Sequence, residues 1–216
     1  MSKVAIMSGG TTPQEDHFFK SLLPNYQFYV AVDMGMDVFH RLGIKPNILV
    51  GDLDSISSDI DIEGIELHKF PCDKDKTDTE LAVDYCNSSG FSHIDILGGI
   101  GDRLDHTLAN AYLLVYANKP NNRVRLLNSI NTIYLLTAAK AVEIKGKEND
   151  IVSLIPITEN IEGLTIRGCR WNLEKGSISQ GRTHGLSNYL KNTTANLSIA
   201  KGMTFVFHIQ SRSEKI

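Results

Sequence analysis

Two aspartates stand two residues apart in Gly51-Asp52-Leu53-Asp54-Ser55, and in extended backbone that spacing turns both carboxylates to one side. Carboxylates held side by side repel unless a cation lies between them. Hard oxygen ligands of this kind suit magnesium, which commonly arrives with substrate phosphates as its other ligands. A solvated Asp-rich turn would use the same residues. A second stretch dense in acids and bases, Pro71 to Glu80, carries Asp78 at a helix start and offers Lys74 and Lys76 as donors to phosphate oxygens. A third, Gly98-Gly99-Ile100-Gly101-Asp102-Arg103, ends in a guanidinium whose planar fork suits phosphate, with Asp105 and His106 on the next helical turn. Asp105 also fits a plain helix-start role. Neither Gly-rich stretch is a P-loop or a complete dinucleotide fingerprint, so a nucleotide would be bound by other means. In the last third of the chain Trp171 and the turn Gly185-Leu186-Ser187-Asn188 stand out. A single indole serves most often in a core or interface, and otherwise as a flat platform for a planar or cationic ring.

The elements that must position these residues come in two kinds. Up to about Asn122, short apolar runs alternate with helical patterns, which predicts a mostly parallel sheet covered by helices. The predicted strands are Val4 to Met7, Phe28 to Val32, Ile48 to Val50, Ile65 to Phe70 and Ile94 to Leu97. The predicted helices are Asp37 to Leu42, Asp78 to Ser88 and Leu104 to Asn118, the last carrying Leu104, Leu108, Tyr112 and Val115 along one face. Thr77 and Glu80 have the spacing of a capping box at the entrance of the second. In an open parallel sheet ligands bind beyond the carboxyl ends of the strands. There stand Ser8-Gly9-Gly10, Asp33-Met34-Gly35, Gly51 to Ser55 and Gly98 to Arg103. From about Arg123 the period becomes two, with runs at Val124 to Leu127, Thr132 to Leu136, Ala141 to Ile144, Ile151 to Pro156, Leu164 to Ile166 and Met203 to Ile209. These predict antiparallel strands closing into a small β-sandwich. The expected class is α/β plus all-β, with an α/β domain over residues 1–125 and a β-sandwich over 126–216.

Composition narrows the functions available. Apolar residues at 42% and charged residues at 22% of the 216 are ordinary for a folded chain with a core. A net charge of −3 offers no broad basic surface for nucleic acid or acidic lipid. Three cysteines, odd in number and with no CxxC pair, argue against a disulfide framework or a zinc site. The start has only a short apolar run and no later stretch is long enough to span a bilayer, so the expected compartment is the cytoplasm.

With these residues in hand, the chain resembles the thiamine pyrophosphokinase family over nearly its full length. Gly51-Asp52-Leu53-Asp54-Ser55-Ile56 is similar to the family's GDxDS motif, and Asp75 to Glu80 to its DxTD segment. Gly98 to Asn110, reading GGIGDRLDHTLAN, is similar to its GGxGGRxDHxxAN signature. Gly168-Cys169-Arg170-Trp171-Asn172-Leu173 and Leu186-Ser187-Asn188 resemble the elements that hold thiamine in the family's C-terminal domain. The chain departs from the pattern at Met34, Asp102 and Cys169. The resemblance implies transfer of a diphosphate from ATP to the hydroxyl of thiamine, releasing AMP, by a magnesium-dependent homodimer with active sites shared between subunits. Asp52, Asp54 and Asp78 would be the magnesium-side carboxylates, and Asp78, Arg103 and Asp105 the reacting centre. ATP would lie against Gly9, Gly10, Asp33, Gly35, Lys74, Thr77 and Arg103. Thiamine would lie against Asp105, His106, Trp171, Ser187 and Asn188, with Trp171 and Ser187 supplied by the partner chain. A magnesium-dependent phosphohydrolase would use the same acids but would leave Trp171 and Ser187 without a role, and a non-catalytic nucleotide sensor would bind nucleotide without turnover and use the β domain as an interaction module.

Overall fold

A computed structural model describes residues 2–52, 57, 60–71, 73 and 75–211. The chain divides into two compact units, Met1–Ser129 and Ile130–Ile216.

The first unit is a parallel sheet with helices on both faces. Its strands are β1 (Lys3–Met7), β2 (Phe28–Val32), β3 (Ile48–Gly51), β4 (Glu66–Lys69), β5 (His93–Leu97) and β6 (Arg123–Leu127), in the order β6-β5-β1-β2-β3-β4. Every pairing among them is parallel. From β1 the chain steps outward through β2, β3 and β4, then returns to the other side of β1 for β5 and β6. The reversal point therefore lies between β1 and β5, where such sheets leave a crevice beyond the strand ends. The helices are α1 (Asp16–Leu22), α2 (Gly35–Leu42), α3 (Asp78–Ser88) and α4 (Leu104–Tyr116). Ala5, Met7, Ala31, Leu49 and Leu97 face one way, onto Phe19 of α1 and Phe39 of α2. α3 packs against β1, β2 and β3 and alongside α4.

Three features of this unit differ from the sequence expectation. Val124 to Leu127, expected as the first antiparallel strand, is the last parallel one, with Ile94 opposite Val124 and Leu97 opposite Leu127. A period of two marks a strand but not its direction, and α4 supplies the crossover that parallel pairing needs. Helix α1 was not predicted, since seven residues with Phe19 alone fully covered give too little periodicity to read. Of the expected α4 stripe, Leu104, Leu108 and Tyr112 point outward, joined by Tyr116, while Val115 is half-buried. Leu104 is 68%, Leu108 53%, Tyr112 51% and Tyr116 52% exposed, while Asn110, Ala111, Leu113 and Leu114 turn inward.

The second unit is a sandwich of two antiparallel sheets. One has the order β12-β9-β14-β7, made of β7 (Asn131–Thr137), β9 (Ile151–Pro156), β12 (Asn188–Tyr189) and β14 (Met203–Ile209). The other has the order β11-β10-β13-β8, made of β8 (Val142–Lys145), β10 (Asn160–Arg167), β11 (Leu173–Ser179) and β13 (Thr194–Ser198). Leu136, Val152, Leu154 and Val206 from the first meet Ile144, Ile161, Ile166 and Leu197 from the second in one core. On β14 the inward side is Thr204, Val206 and His208, not the larger Phe205 and Phe207 side. His208 is accommodated by Asp150, which lies 2.8 Å from its Nε2. Burial pushes the Asp150 carboxyl up, but hydrogen bonds from the Lys147 and Ser211 N–H groups and from His208 outweigh it and hold the group below the usual range.

Candidate functional site

The loops after β1, β2, β3 and β5 converge at the carboxyl edge, and glycine is what lets them meet. A Cβ on Gly35 would lie 1.9 Å from the Met7 carbonyl oxygen, and one on Gly10 would lie 2.7 Å from that of Gly98. The Ser8 N–H donates to the Leu97 carbonyl at 2.8 Å and the Gly10 N–H to the Gly98 carbonyl at 2.8 Å, which closes the β1 and β5 loops onto each other. Gly98 has φ +63°, left-handed backbone that a side chain would strain. The Asp33 carboxylate reaches over the end of β3, so a Cβ on Gly51 would lie 1.8 Å from its Oδ1. Met34, 52% exposed, sits beside Gly9, whose Cβ would come within 2.5 Å of that of Met34. Gly9, Gly10, Asp33, Gly35 and the half-buried Asp52 thus share one edge.

Helix α3 brings Asp78 to the same edge. The Thr77 side chain accepts the Glu80 N–H at 3.2 Å, the expected cap, so Asp78 opens the first turn. The Thr79 and Ser8 hydroxyls are 3.1 Å apart, which ties that turn to the β1 loop. Lys76 points elsewhere. Its Nζ lies 2.6 Å from Asp84 Oδ2 and 5.6 Å from the centroid of the Tyr116 ring, whose hydroxyl donates to Asp84 Oδ1 at 2.6 Å. Asp84 holds the Lys76 ammonium charged, raising its pKa, so Lys76 braces α3 to α4 and is not turned toward a phosphate. Asp54 and Lys74 lie outside the described residues.

Arg103 caps α4 and forms a fork with Asp105, Nε to Oδ1 at 3.2 Å and Nη2 to Oδ2 at 2.6 Å. The guanidinium holds the Asp105 carboxyl down at about 2, so in the free chain Asp105 is a weak proton acceptor. Arg103, Asp105 and His106 are all exposed. Two residues of the same helix that the sequence reading left without a role support the β5 loop. Asn110, buried, donates to the Gly99 carbonyl at 2.9 Å, and the Thr107 hydroxyl accepts the Gly101 N–H at 3.2 Å. Polar residues three apart on the inward side of an apolar helix were the available signal.

In the second unit Trp171 is 55% exposed, which rules out the core reading of the indole. The Arg170 guanidinium lies 5.1 Å from its ring centroid, so one face already carries a cation. Asn188 is buried, and its polar atoms hold the Trp171 backbone: Nδ2 donates to the Trp171 carbonyl at 2.7 Å and Oδ1 accepts the Trp171 N–H at 3.1 Å. Asn188 thereby positions the indole, and its side chain has little capacity left for a ligand. Ser187 is exposed, at φ +61°, with its N–H donating to the Ser153 hydroxyl at 3.0 Å.

A doubly wound sheet that collects acids and glycines beside its reversal point is built to receive phosphate-bearing ligands, and that places the chain among the α/β phosphate-handling proteins. Residues 19–126 match the thiamin pyrophosphokinase catalytic domain, and residues 141–204 match the thiamin pyrophosphokinase vitamin B1 binding domain. The chain belongs to the thiamine pyrophosphokinase family, and its activity is that of a thiamine diphosphokinase. It is 30% identical over 214 residues to a thiamine pyrophosphokinase of Bacillus subtilis, spanning 94% of this chain and 96% of the relative. A thiamin pyrophosphokinase of Caenorhabditis elegans is 26% identical over 176 residues, 76% of this chain and 70% of the relative. The crystal structure of thiamine pyrophosphokinase from Bacillus subtilis superposes with a TM-score of 0.87 at 27% identity, covering 98% of this chain and all of the other.

Proposed function

We propose that the protein transfers the diphosphate of ATP to the hydroxyl of thiamine at the carboxyl edge of its parallel sheet, in the cytoplasm and as a homodimer. The observation that carries the site assignment is the meeting of Asp52, Asp78 and the Gly10–Gly98 contact at one sheet edge. Among the described residues no three acidic, histidine or cysteine side chains form a metal cage. A magnesium ion that arrives on phosphates needs only one or two carboxylates from the protein, and Asp52 and Asp78, with Asp54, are hard oxygen donors of that kind. When bound there, the ion would supply positive charge against the phosphate oxygens.

The chain's own groups account for the remaining work. Gly9 and Gly10 carry no side chains of their own to hold a phosphate away from their backbone, with Met34 flanking Gly9. Arg103 offers two or more parallel N–H donors to phosphate oxygens. When a phosphate takes that guanidinium, Asp105 loses the partner that holds it down and regains the basicity needed to accept the thiamine hydroxyl proton. Trp171 and Ser187, from the second copy, hold the cationic ring, with Asn188 fixing the indole's backbone. The exposed stripe Leu104, Leu108, Tyr112 and Tyr116 supports the second copy as its occupant, because four large apolar side chains one turn apart on an outward helix face call for cover. This stripe begins beside Asp105, where the thiamine side of the site belongs. No helix of the described residues is long and apolar enough to cross a membrane. Cys86 and Cys169 are free, buried thiols, which suits a reducing compartment.

The test is AMP production from ATP and magnesium with and without thiamine, with mass detection of the thiamine product. AMP should appear only with thiamine, in step with thiamine diphosphate. AMP or phosphate without thiamine would replace this reading with a hydrolase. In the same assay Trp171→Ala should raise the thiamine KM about tenfold, a loss in the range of one cation–π contact, and change the ATP KM little. An unchanged thiamine KM would remove the indole from the thiamine site.

A further inference from the structure

Glu15, at the start of α1, makes three long-range or loop-closing hydrogen bonds that the reaction scheme does not use. Its Oε1 accepts the Ser129 N–H at 3.0 Å and the Ser129 hydroxyl at 2.8 Å, and its Oε2 accepts the Thr11 hydroxyl at 2.9 Å. Ser129 follows β6 and Thr11 belongs to the loop after β1, with β5 between the two strands. The one carboxylate therefore ties the residue after β6 to the loop after β1, past the end of the intervening β5. Between Gly10 and the short turn that opens α1, the loop has few anchors of its own. Thr12 makes no side-chain cap, and the Gly10 N–H bond to the Gly98 carbonyl is the nearest backbone tie before it. Five-residue loops rich in glycine have many alternative conformations, so an anchor at the far end removes freedom that a ligand would otherwise have to remove on binding.

We propose that Glu15 is a positioning residue for the phosphate-facing loop Ser8–Thr12, holding it ready for the nucleotide from the end of β6. This rests on the reading that the nucleotide binds beside Gly9 and Gly10. The chemistry of the bonds makes a specific demand: two acceptor positions at Oε1 and one polar atom at Oε2. Glutamine meets it, because its carbonyl can take both Ser129 donors and its amide can donate to the Thr11 oxygen. Alanine and the shorter aspartate cannot.

The experiment is titration calorimetry of ATP with magnesium in the absence of thiamine, alongside steady-state kinetics. Glu15→Ala should weaken ATP binding about tenfold, while kcat at saturating substrates and the thiamine KM stay within about twofold. Glu15→Gln should bind ATP within about twofold of wild type. Thr11→Val, which leaves the start of α1 untouched, should weaken ATP binding about threefold and serves if the alanine variant does not fold. ATP binding unchanged in both Glu15→Ala and Thr11→Val would overturn the assignment, as would equal losses in the alanine and glutamine variants. Wild-type protein that binds no ATP would overturn the functional reading itself, and that result is seen before any variant is made.

Discussion

Asp52→Asn should lower kcat on the order of 10³-fold at saturating ATP and thiamine, with the melting temperature changed by no more than about 2 °C. Asparagine keeps the size and shape of the side chain and one acceptor oxygen, and replaces the charged second oxygen with a neutral NH2 donor. Asp52 lies half-buried just beyond β3, outside the two cores, so the substitution should leave their packing intact. Phosphoryl transfer does need the charge, because the site must balance several phosphate charges with cations held in fixed places, and a neutral amide holds a cation far less well than a carboxylate. Raising magnesium should recover part of the rate, which separates this cause from a misplaced substrate. A fall of less than tenfold would remove Asp52 from the site.

The same variant tests the shared site. When Asp52→Asn chains are mixed with Trp171→Ala chains under exchange, half the dimers are mixed, and each holds one site with neither change if Asp52 works with the partner's indole. Assayed at thiamine well below the wild-type KM, where Trp171→Ala homodimers run at about a tenth of the wild-type rate, activity should then rise to about a quarter of the wild-type rate. No recovery on mixing, with exchange verified, would mean that each site uses one chain alone. It would leave the role of the Asp52 charge untouched.

The sequence was legible where a local rule acts alone. β2, β9, β14 and α3 have the bounds expected of them, and the Thr77 cap forms as its spacing demands. The positions of Asp52, Asp78 and the glycines follow from one general rule about sheet edges, so that part of the site could be placed before any coordinates. What was hidden depends on partners distant in the chain. The Glu15–Ser129 bonds join residues 114 apart, and nothing near Glu15 marks it off from an ordinary helix-start acid. β11, β12 and β13 carry few large apolar side chains, so their pairing with better-marked strands defines them more than their own pattern does. The alternation on β14 was visible, but which side faces the core was not. His208 looks like a surface residue until Asp150 is found beside it. On α4 two faces compete, and the larger apolar residues take the outward one while Ala111, Leu113 and Leu114 fill the inner one. An apolar helix face that stays exposed is written in the sequence as hydrophobic periodicity, indistinguishable there from a core.

The largest stability loss is expected at a charge that no substrate touches. Asp95 lies on the buried face of β5, 2% exposed, beside Ala5 of β1 and opposite Arg125 of β6. The Arg125 Nε donates to Asp95 Oδ1 at 2.8 Å, its Nη2 donates to Oδ2, and the Tyr26 hydroxyl donates to the same Oδ2. Burial, and then the Asp95 charge, push the Tyr26 hydroxyl well above its ordinary pKa, so it stays a neutral donor at any working pH. Such a group adds little over well-packed apolar residues of the same volume, but taking away the carboxylate removes the acceptor of the buried Tyr26 hydroxyl and the ion-pair partner of the half-buried Arg125. Asp95→Ala should therefore cost about 2–3 kcal/mol, less than a fully buried pair because Arg125 keeps contact with water, and lower the melting temperature by about 5–10 °C. Tyr26→Phe removes one donor and strands no charge, and should cost about 1 kcal/mol. Replacing all three side chains with apolar residues of matched volume should recover most of what the alanine variant loses. Below its own melting temperature Asp95→Ala should keep the wild-type kcat, since the Asp95 side chain lies under the sheet face and not at its carboxyl edge. Thermal melts followed by circular dichroism supply the test, and a loss under about 1 kcal/mol for Asp95→Ala would show that water or a shifted Arg125 satisfies the site without the carboxylate.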